Sequence, residues 1–182
     1  MERVWAANGL SKWVSFLLSN WRAGGYPREN IYPVNPKENE IHGLTAYPSI
    51  AALPVVPDLA FVTTPAVTVT GILEECAARG TRNIIVISSG FSEVGEDGVH
   101  LERELAETAR RHDLNIVGPN TMGIVSTRRR IFAVGAPVQL HPGKISFVSQ
   151  SGNVGANMLG WTMNQGIGFG KFVGSGNEAL LH

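Results

Sequence analysis

Short runs rich in β-branched residues alternate along the chain with helical stripes, and this alternation constrains the fold more than any other feature. The runs cover residues 31–34, 59–63, 83–88 and 114–117. They are close to continuously apolar, the pattern of strands buried on both faces. Between them lie Trp13, Phe16, Leu17 and Trp21, then Val69, Ile72, Leu73, Cys76 and Ala77, then Leu101, Leu105, Thr108, Ala109 and His112. Each set recurs at the spacing that puts an apolar stripe on one side of a helix. Strand, crossover helix and strand in succession imply right-handed βαβ units and a doubly wound parallel sheet of the α/β class. In such sheets ligands bind beyond the carboxyl ends of the strands. The residues found there are Asn35-Pro36-Lys37, Thr64-Pro65-Ala66, Ser89-Gly90-Phe91-Ser92 and Gly118-Pro119-Asn120-Thr121. They are rich in small, polar and turn-forming types, and the 21 glycines among 182 residues, above the average of about 7%, suit backbone that turns tightly or approaches a ligand.

A second unit begins after the Arg128-Arg129-Arg130 turn and the loop 136–142, with a strand at 144–149, a helix at 152–164 and a strand at 168–173. The division is into residues 1–135 and residues 136–182. Two strands and one helix do not bury both faces of a sheet, so the second unit is expected to be the truncated start of a domain or to be completed by a partner. At the other end, Arg3-Val4-Trp5 leaves room for a stub of a first strand. Charge narrows the function classes: 15 basic side chains balance 15 acidic ones, so no basic excess exists to grip nucleic acid or an anionic membrane, and any anion site is local. Cys76 is the one cysteine, which excludes an intrachain disulfide and fits a cytoplasmic location. No apolar stretch reaches the length of a membrane span, and no secretory leader is visible.

The loop residues, taken together, carry a resemblance. Tyr32-Pro33-Val34-Asn35-Pro36-Lys37, Tyr47-Pro48-Ser49, Thr64-Pro65-Ala66, Ser88-Ser89-Gly90-Phe91-Ser92-Glu93, Gly118-Pro119-Asn120 and Ser149-Gln150-Ser151-Gly152 follow in the order found in the nucleoside-diphosphate-forming acyl-CoA synthetases. The chain resembles that family, relatives of the succinyl-CoA synthetase α-subunit, from about residue 8 to residue 178. The resemblance implies a Rossmann-like CoA-binding domain followed by a flavodoxin-like, succinyl-CoA synthetase-like one.

CoA presents phosphates, which call for N–H groups and a cation, and a thin pantetheine arm, which calls for a backbone-lined channel. Lys37 is the obvious cation, beside the Asn35-Pro36 turn, and the resemblance implies that it meets the phosphates. Ser11 can cap the first helix, and Ser11 and Lys12 resemble the family's first phosphate loop, although Ala6-Ala7-Asn8 departs from the usual Gly-Ala-Ser turn. Thr63, Thr64 and Pro65 flank the adenine or pantetheine by resemblance; on their own they read as a helix start. Ser88, Ser89, Gly90 and Phe91 line the same channel by resemblance. Pro119 and Asn120 match the family's Gly-Pro-Asn loop, and the Asn120 amide can both donate and accept. Ser149, Ser151 and Gly152 open a helix whose free N–H groups suit an anion; in the family this helix start faces a phosphohistidine. Gly174-Ser175-Gly176-Asn177-Glu178 resembles a Gly-Asn loop near that centre.

Other readings fail. Residues 166–171 are one residue short of a Walker loop, and Phe172 stands where a magnesium-binding hydroxyl belongs. His42, His100, His112, His141 and His182 show no metal-ligand spacing, and none matches the family's phosphorylated position. Arg128 to Arg130 read as a solvated turn. No Gly-x-Gly-x-x-Gly with a following acid supports NAD. The resemblance therefore implies the CoA-holding module of an ADP-forming, acetate–CoA ligase-like synthetase, with CoA or acyl-CoA as ligand, an ATP-grasp subunit or domain as partner and an oligomeric assembly, inactive as this polypeptide alone and with no catalytic residue of its own. The alternative is a non-catalytic CoA-responsive module such as the regulatory part of a protein acetyltransferase.

Overall fold

The computed structural model describes residues 4–7 and 12–180, and among residues 4–13 the backbone alone. In chain order the elements of the first half are β1 (Val4–Ala7), α1 (Lys12–Ala23), β2 (Ile31–Val34), the small hairpin β3 (Glu40–Ile41) and β4 (Leu44–Thr45), β5 (Leu59–Val62), α2 (Ala66–Arg79), β6 (Asn83–Val86), α3 (Glu96–Arg111) and β7 (Asn115–Val117). They build a parallel sheet of five strands in the order β2-β1-β5-β6-β7. The α/β doubly wound arrangement read from the sequence is therefore the observed one. The expected stub at the N-terminus is instead a full partner: all four residues of β1 pair with β2 on one side and β5 on the other. A strand with neighbours on both edges has its backbone donors and acceptors satisfied without needing length.

Strand residues alternate between two cores, as the pleat dictates. Ala60, Val62, Ile84 and Val86 face α2 and α3, joining Val69, Leu73, Cys76, Leu105 and Ala109. Phe61, Ile85 and Ile87 face the other way, against Val14, Leu17, Leu18 and Trp21 of α1. Trp21 meets Phe61 edge-on at 5.3 Å between ring centroids, a favoured aromatic geometry. Helix α2 ends on Gly80 at φ 93°, the left-handed cap that glycine adopts without strain.

The second half holds β8 (Gly123–Ser126), β9 (Ile131–Val134), β10 (Pro142–Ser149), α4 (Gly152–Asn164) and β11 (Phe169–Gly174). The strand–helix–strand unit β10-α4-β11 is parallel as expected, but the sheet has four strands, ordered β10-β11-β8-β9, because the antiparallel hairpin β8–β9 adds to the edge of β11. Arg128 to Arg130 form the tip of this hairpin. Its strand β9 is shared between cores: Ile131 and Ala133 pack with α1, while Phe132 and Val134 pack with Leu159 of α4 and Phe172 of β11. Asn20 of α1 fixes the junction, donating Nδ2 to the carbonyls of Val134 at 2.9 Å and Ala136 at 2.8 Å. Among the described residues no helix is long and apolar enough to cross a membrane.

Candidate functional site

The parallel strands of the first sheet all end on one edge, and the loops that leave it carry most of the residues singled out in the sequence. After β2, the buried Asn35 donates its backbone amide to Tyr47 O at 2.8 Å and accepts the Lys37 amide on Oδ1 at 2.8 Å. This tight turn leaves Pro36 and Lys37 exposed. After β5, Thr63 and Thr64 are half-buried and Pro65 precedes the first residue of α2. After β6, Ser88 turns inward and donates to Val62 O at 3.4 Å. Ser89 points outward, Gly90 sits at φ 103°, and the Phe91 ring is 1% exposed in the core on the α2–α3 side. After β7, Pro119 follows a cis peptide bond and Asn120 adopts φ 55°, with its amide donating to Ser88 O at 2.8 Å. Ser11 lies outside the described residues, as does the side chain of Lys12.

The second sheet turns its own carboxyl edge toward the first. Ser149 ends β10, buried, its Oγ donating to Ser151 O at 2.9 Å. Ser151 is the N-cap of α4, its Oγ accepting the Val154 amide at 3.4 Å, which leaves further amides of the first turn without helical acceptors. Across from it, Ser175 donates its amide to Ser149 O at 3.0 Å, and Asn177 donates its amide to Pro119 O at 2.9 Å. The two edges thereby enclose a cleft of about 620 Å³ walled on one side by Ser89, Glu93 and Asn120 and on the other by Gln150, Ser151 and Gly152, with Asn177 at the join. The structure thus brings together Ser89, Asn120, Ser151 and Gly152. Asn35, Pro36, Lys37, Thr63, Thr64 and Pro65 share the first sheet's edge but do not line this cleft, nor do Ser88, Phe91, Pro119 and Ser149.

In the sequence Glu93 and Asn177 fall within motifs that imply no role for either, and Glu102 lies outside every motif. The Glu93 carboxylate accepts the amides of Gly90 at 2.5 Å and Phe91 at 3.2 Å on Oε1, and Asn177 Nδ2 at 2.6 Å on Oε2. Partial burial opposes its charge, but these hydrogen bonds outweigh it, the one from Asn177 foremost, and hold the carboxyl below its ordinary value;. Glu102 reaches the same place from α3, where a charged residue beside the apolar stripe gives no sign of a partner in a distant loop. Among the described residues no group of three His, Cys, Asp or Glu side chains is placed to hold a metal ion.

Comparisons with known proteins agree with this fold. Residues 6–127 match the family described as CoA binding domain, and residues 142–182 match the succinyl-CoA ligase like flavodoxin domain. Acetate–CoA ligase [ADP-forming] I of Archaeoglobus fulgidus is 42% identical over 151 residues, covering 83% of this chain and 22% of that protein. The α subunit of acetate–CoA ligase [ADP-forming] I of Pyrococcus furiosus is 41% identical over 167 residues, covering 90% of this chain and 36% of that one. Among solved structures, the apo form of a dinucleotide-forming acetyl-coenzyme A synthetase 1 from Ca. Korarchaeum cryptofilum superposes with a TM-score of 0.89 at 33% identity, over 98% of this chain and 39% of its own. The chain thus spans between about a fifth and two fifths of the length of these relatives. With its parallel sheet, its loop motifs and a match running over most of its length, this chain belongs to the CoA binding domain family, followed by a segment of the succinyl-CoA ligase like flavodoxin family.

Proposed function

We propose that the chain is the CoA-holding part of an ADP-forming acyl-CoA synthetase of the acetate–CoA ligase kind, with residues 1–135 binding CoA and residues 136–182 opening the ligase domain. The observation that carries this reading is that likeness to an acetate–CoA ligase α subunit continues through both segments at 41% identity. The geometry supports it, since the edge where CoA would lie and the helix start at Ser151 meet at one cleft. In the whole enzyme, acyl-CoA and phosphate give an acyl-phosphate and CoA, a histidine outside these residues takes the phosphoryl group and releases the acid, and an ATP-grasp partner passes it to ADP. This chain's residues hold the substrate: Lys37 meets the CoA phosphates, Ser89 and Asn120 border the pantetheine arm, and Ser151 and Gly152 offer amides to the transferred phosphoryl group. Val148 and Trp161 stand 65% and 53% exposed on β10 and α4. Each presents apolar surface of the kind that contact with an ATP-grasp partner would cover.

Calorimetric titration of the chain with CoA and with NADH tests the reading. CoA binds and NADH does not; the reverse result overturns the assignment. Lys37→Ala weakens CoA by about tenfold or more, the value of a charge-assisted hydrogen bond, and leaves a phosphate-free pantetheine fragment unaffected; equal losses would place Lys37 away from the phosphates. Turnover that returns when the downstream segment and an ATP-grasp partner are supplied supports the ligase. CoA binding with no such restoration would assign the chain to a regulatory module instead.

A further inference from the structure

The Asn177 side chain stands where the carboxyl edges of the two sheets meet, and its hydrogen bonds run to both loops on the far wall of the cleft. Its Nδ2 lies 2.6 Å from Glu93 Oε2 and 2.8 Å from Glu102 Oε2, one amide hydrogen for each. Its Oδ1 accepts Asn120 Nδ2 at 3.2 Å. The Ser92 hydroxyl completes the cluster by donating to Glu102 Oε2 at 2.7 Å. Glu93 carries the connection onward to the amides of Gly90 and Phe91.

Stability alone explains this arrangement poorly. Two carboxylates within reach of one nitrogen repel each other, and Glu93 is exposed, where a hydrogen bond exchanged with water contributes little. What the arrangement supplies is order. The peptides of Gly90 and Phe91 are turned onto Glu93 beside the outward Ser89, and Asn120 is held on the wall of the cleft. Only an amide does both tasks: an aspartate at this place would set a third carboxylate against two, and an alanine would leave them facing each other unlinked.

Building on the CoA reading above, we infer that Asn177 is a positioning residue for that ligand, reaching across from the second sheet to hold the loops after β6 and β7 in the shape that accepts it. It touches the ligand-bearing loops through Glu93 and Asn120 and need not touch the ligand itself.

The test is CoA titration of the full chain as wild type, Asn177→Ala, Asn177→Asp and the double variant Asn177→Asp with Glu93→Gln, each checked for its thermal midpoint and measured well below it. Both single variants are expected to lose CoA affinity by about tenfold, within the range of couplings among residues of one hydrogen-bond network. The double variant is expected to regain part of the loss, because the side-chain amide introduced at position 93 can donate to the carboxylate introduced at position 177 while its oxygen still accepts the Gly90 amide. A folded Asn177→Ala that binds CoA as tightly as wild type, with only its midpoint lowered, would make the residue merely structural and overturn the inference. A double variant no better than Asn177→Asp would do the same for the path through Glu93. Failure of the wild-type chain to bind CoA would overturn the ligand reading first, and this inference with it.

Discussion

Gly176→Ala should open the join between the two sheets. Gly176 sits at φ +66°, and a Cβ there would lie 2.2 Å from Pro119 O and 3.0 Å from the carbonyl carbon of Asn120. Those are backbone atoms on a loop already held by the bond from Asn120 N to Ser88 O, so no flexible side-chain end can yield. A non-glycine residue in this backbone region costs about 1–2 kcal/mol. Relieving the clash also moves residue 177 and breaks its amide bond to Pro119 O, about another 1 kcal/mol. The expected loss is about 2–3 kcal/mol, a fall in thermal midpoint of about 4–12 °C for a chain of this size. The control is Gly71→Ala. Gly71 lies inside α2 with nothing within 4 Å of its added Cβ, and the better helix former should stabilise by about 0.5–1 kcal/mol. Thermal and urea unfolding of the two variants beside wild type decides the matter. A Gly176→Ala midpoint equal to wild type, or one that moves in parallel with Gly71→Ala, would refute the reasoning that close approach to Pro119 fixes this residue.

Burial, with Glu75 a lesser cause, pushes the Cys76 thiol from 9.0 up to about 12, so a disulfide reagent at mildly alkaline pH should label it only as fast as the chain unfolds; immediate stoichiometric labelling of the folded chain would contradict its place under α2. Because that folded value is raised, the contribution of Cys76 to stability is complete below 9.0 and is lost as pH rises toward 12;. For Glu93 the sign is opposite: its folded value is depressed below 4.5, so its stabilisation is present above that pH and lost as pH falls through the folded value. Glu93→Gln should flatten this part of the acid limb in urea midpoints measured across the carboxylate range, and an unchanged slope would show that Glu93 carries none of it.

Much of the first sheet was legible because its signals are local. Residues 31–34 and 152–164 are read from sequence with the bounds of β2 and α4, since continuous apolar character in the one and Ser151 before the other mark their ends. The hairpin β8–β9 was missed although Ile131 to Val134 is an unbroken apolar run. The three arginines beside it read as a solvated turn, and nothing local shows that β8 pairs with a strand more than forty residues later. The interior place of β1 was hidden for the same reason, since pairing with β5 is a long-range property of backbone. At the site, the carboxyl-end rule found the loops but not the Asn177 cluster. That cluster joins residues 92, 93, 102, 120 and 177, whose proximity depends on how two sheets dock and leaves no mark in spacing along the chain.

The shared hairpin bears on how the chain comes apart. Ile131 and Ala133 complete the cover over Trp21, and Phe132 and Val134 fill the core beneath α4; one four-residue strand is thus a wall of two rooms. A cut after residue 127, where the match to the first family ends, would strip β9 from the core over α1 and β8 from the core beneath α4, leaving apolar surface bare on each fragment. The two sheets should then melt as one cooperative unit in the intact chain, and proteolytic dissection should find no stable fragment ending between β8 and β9.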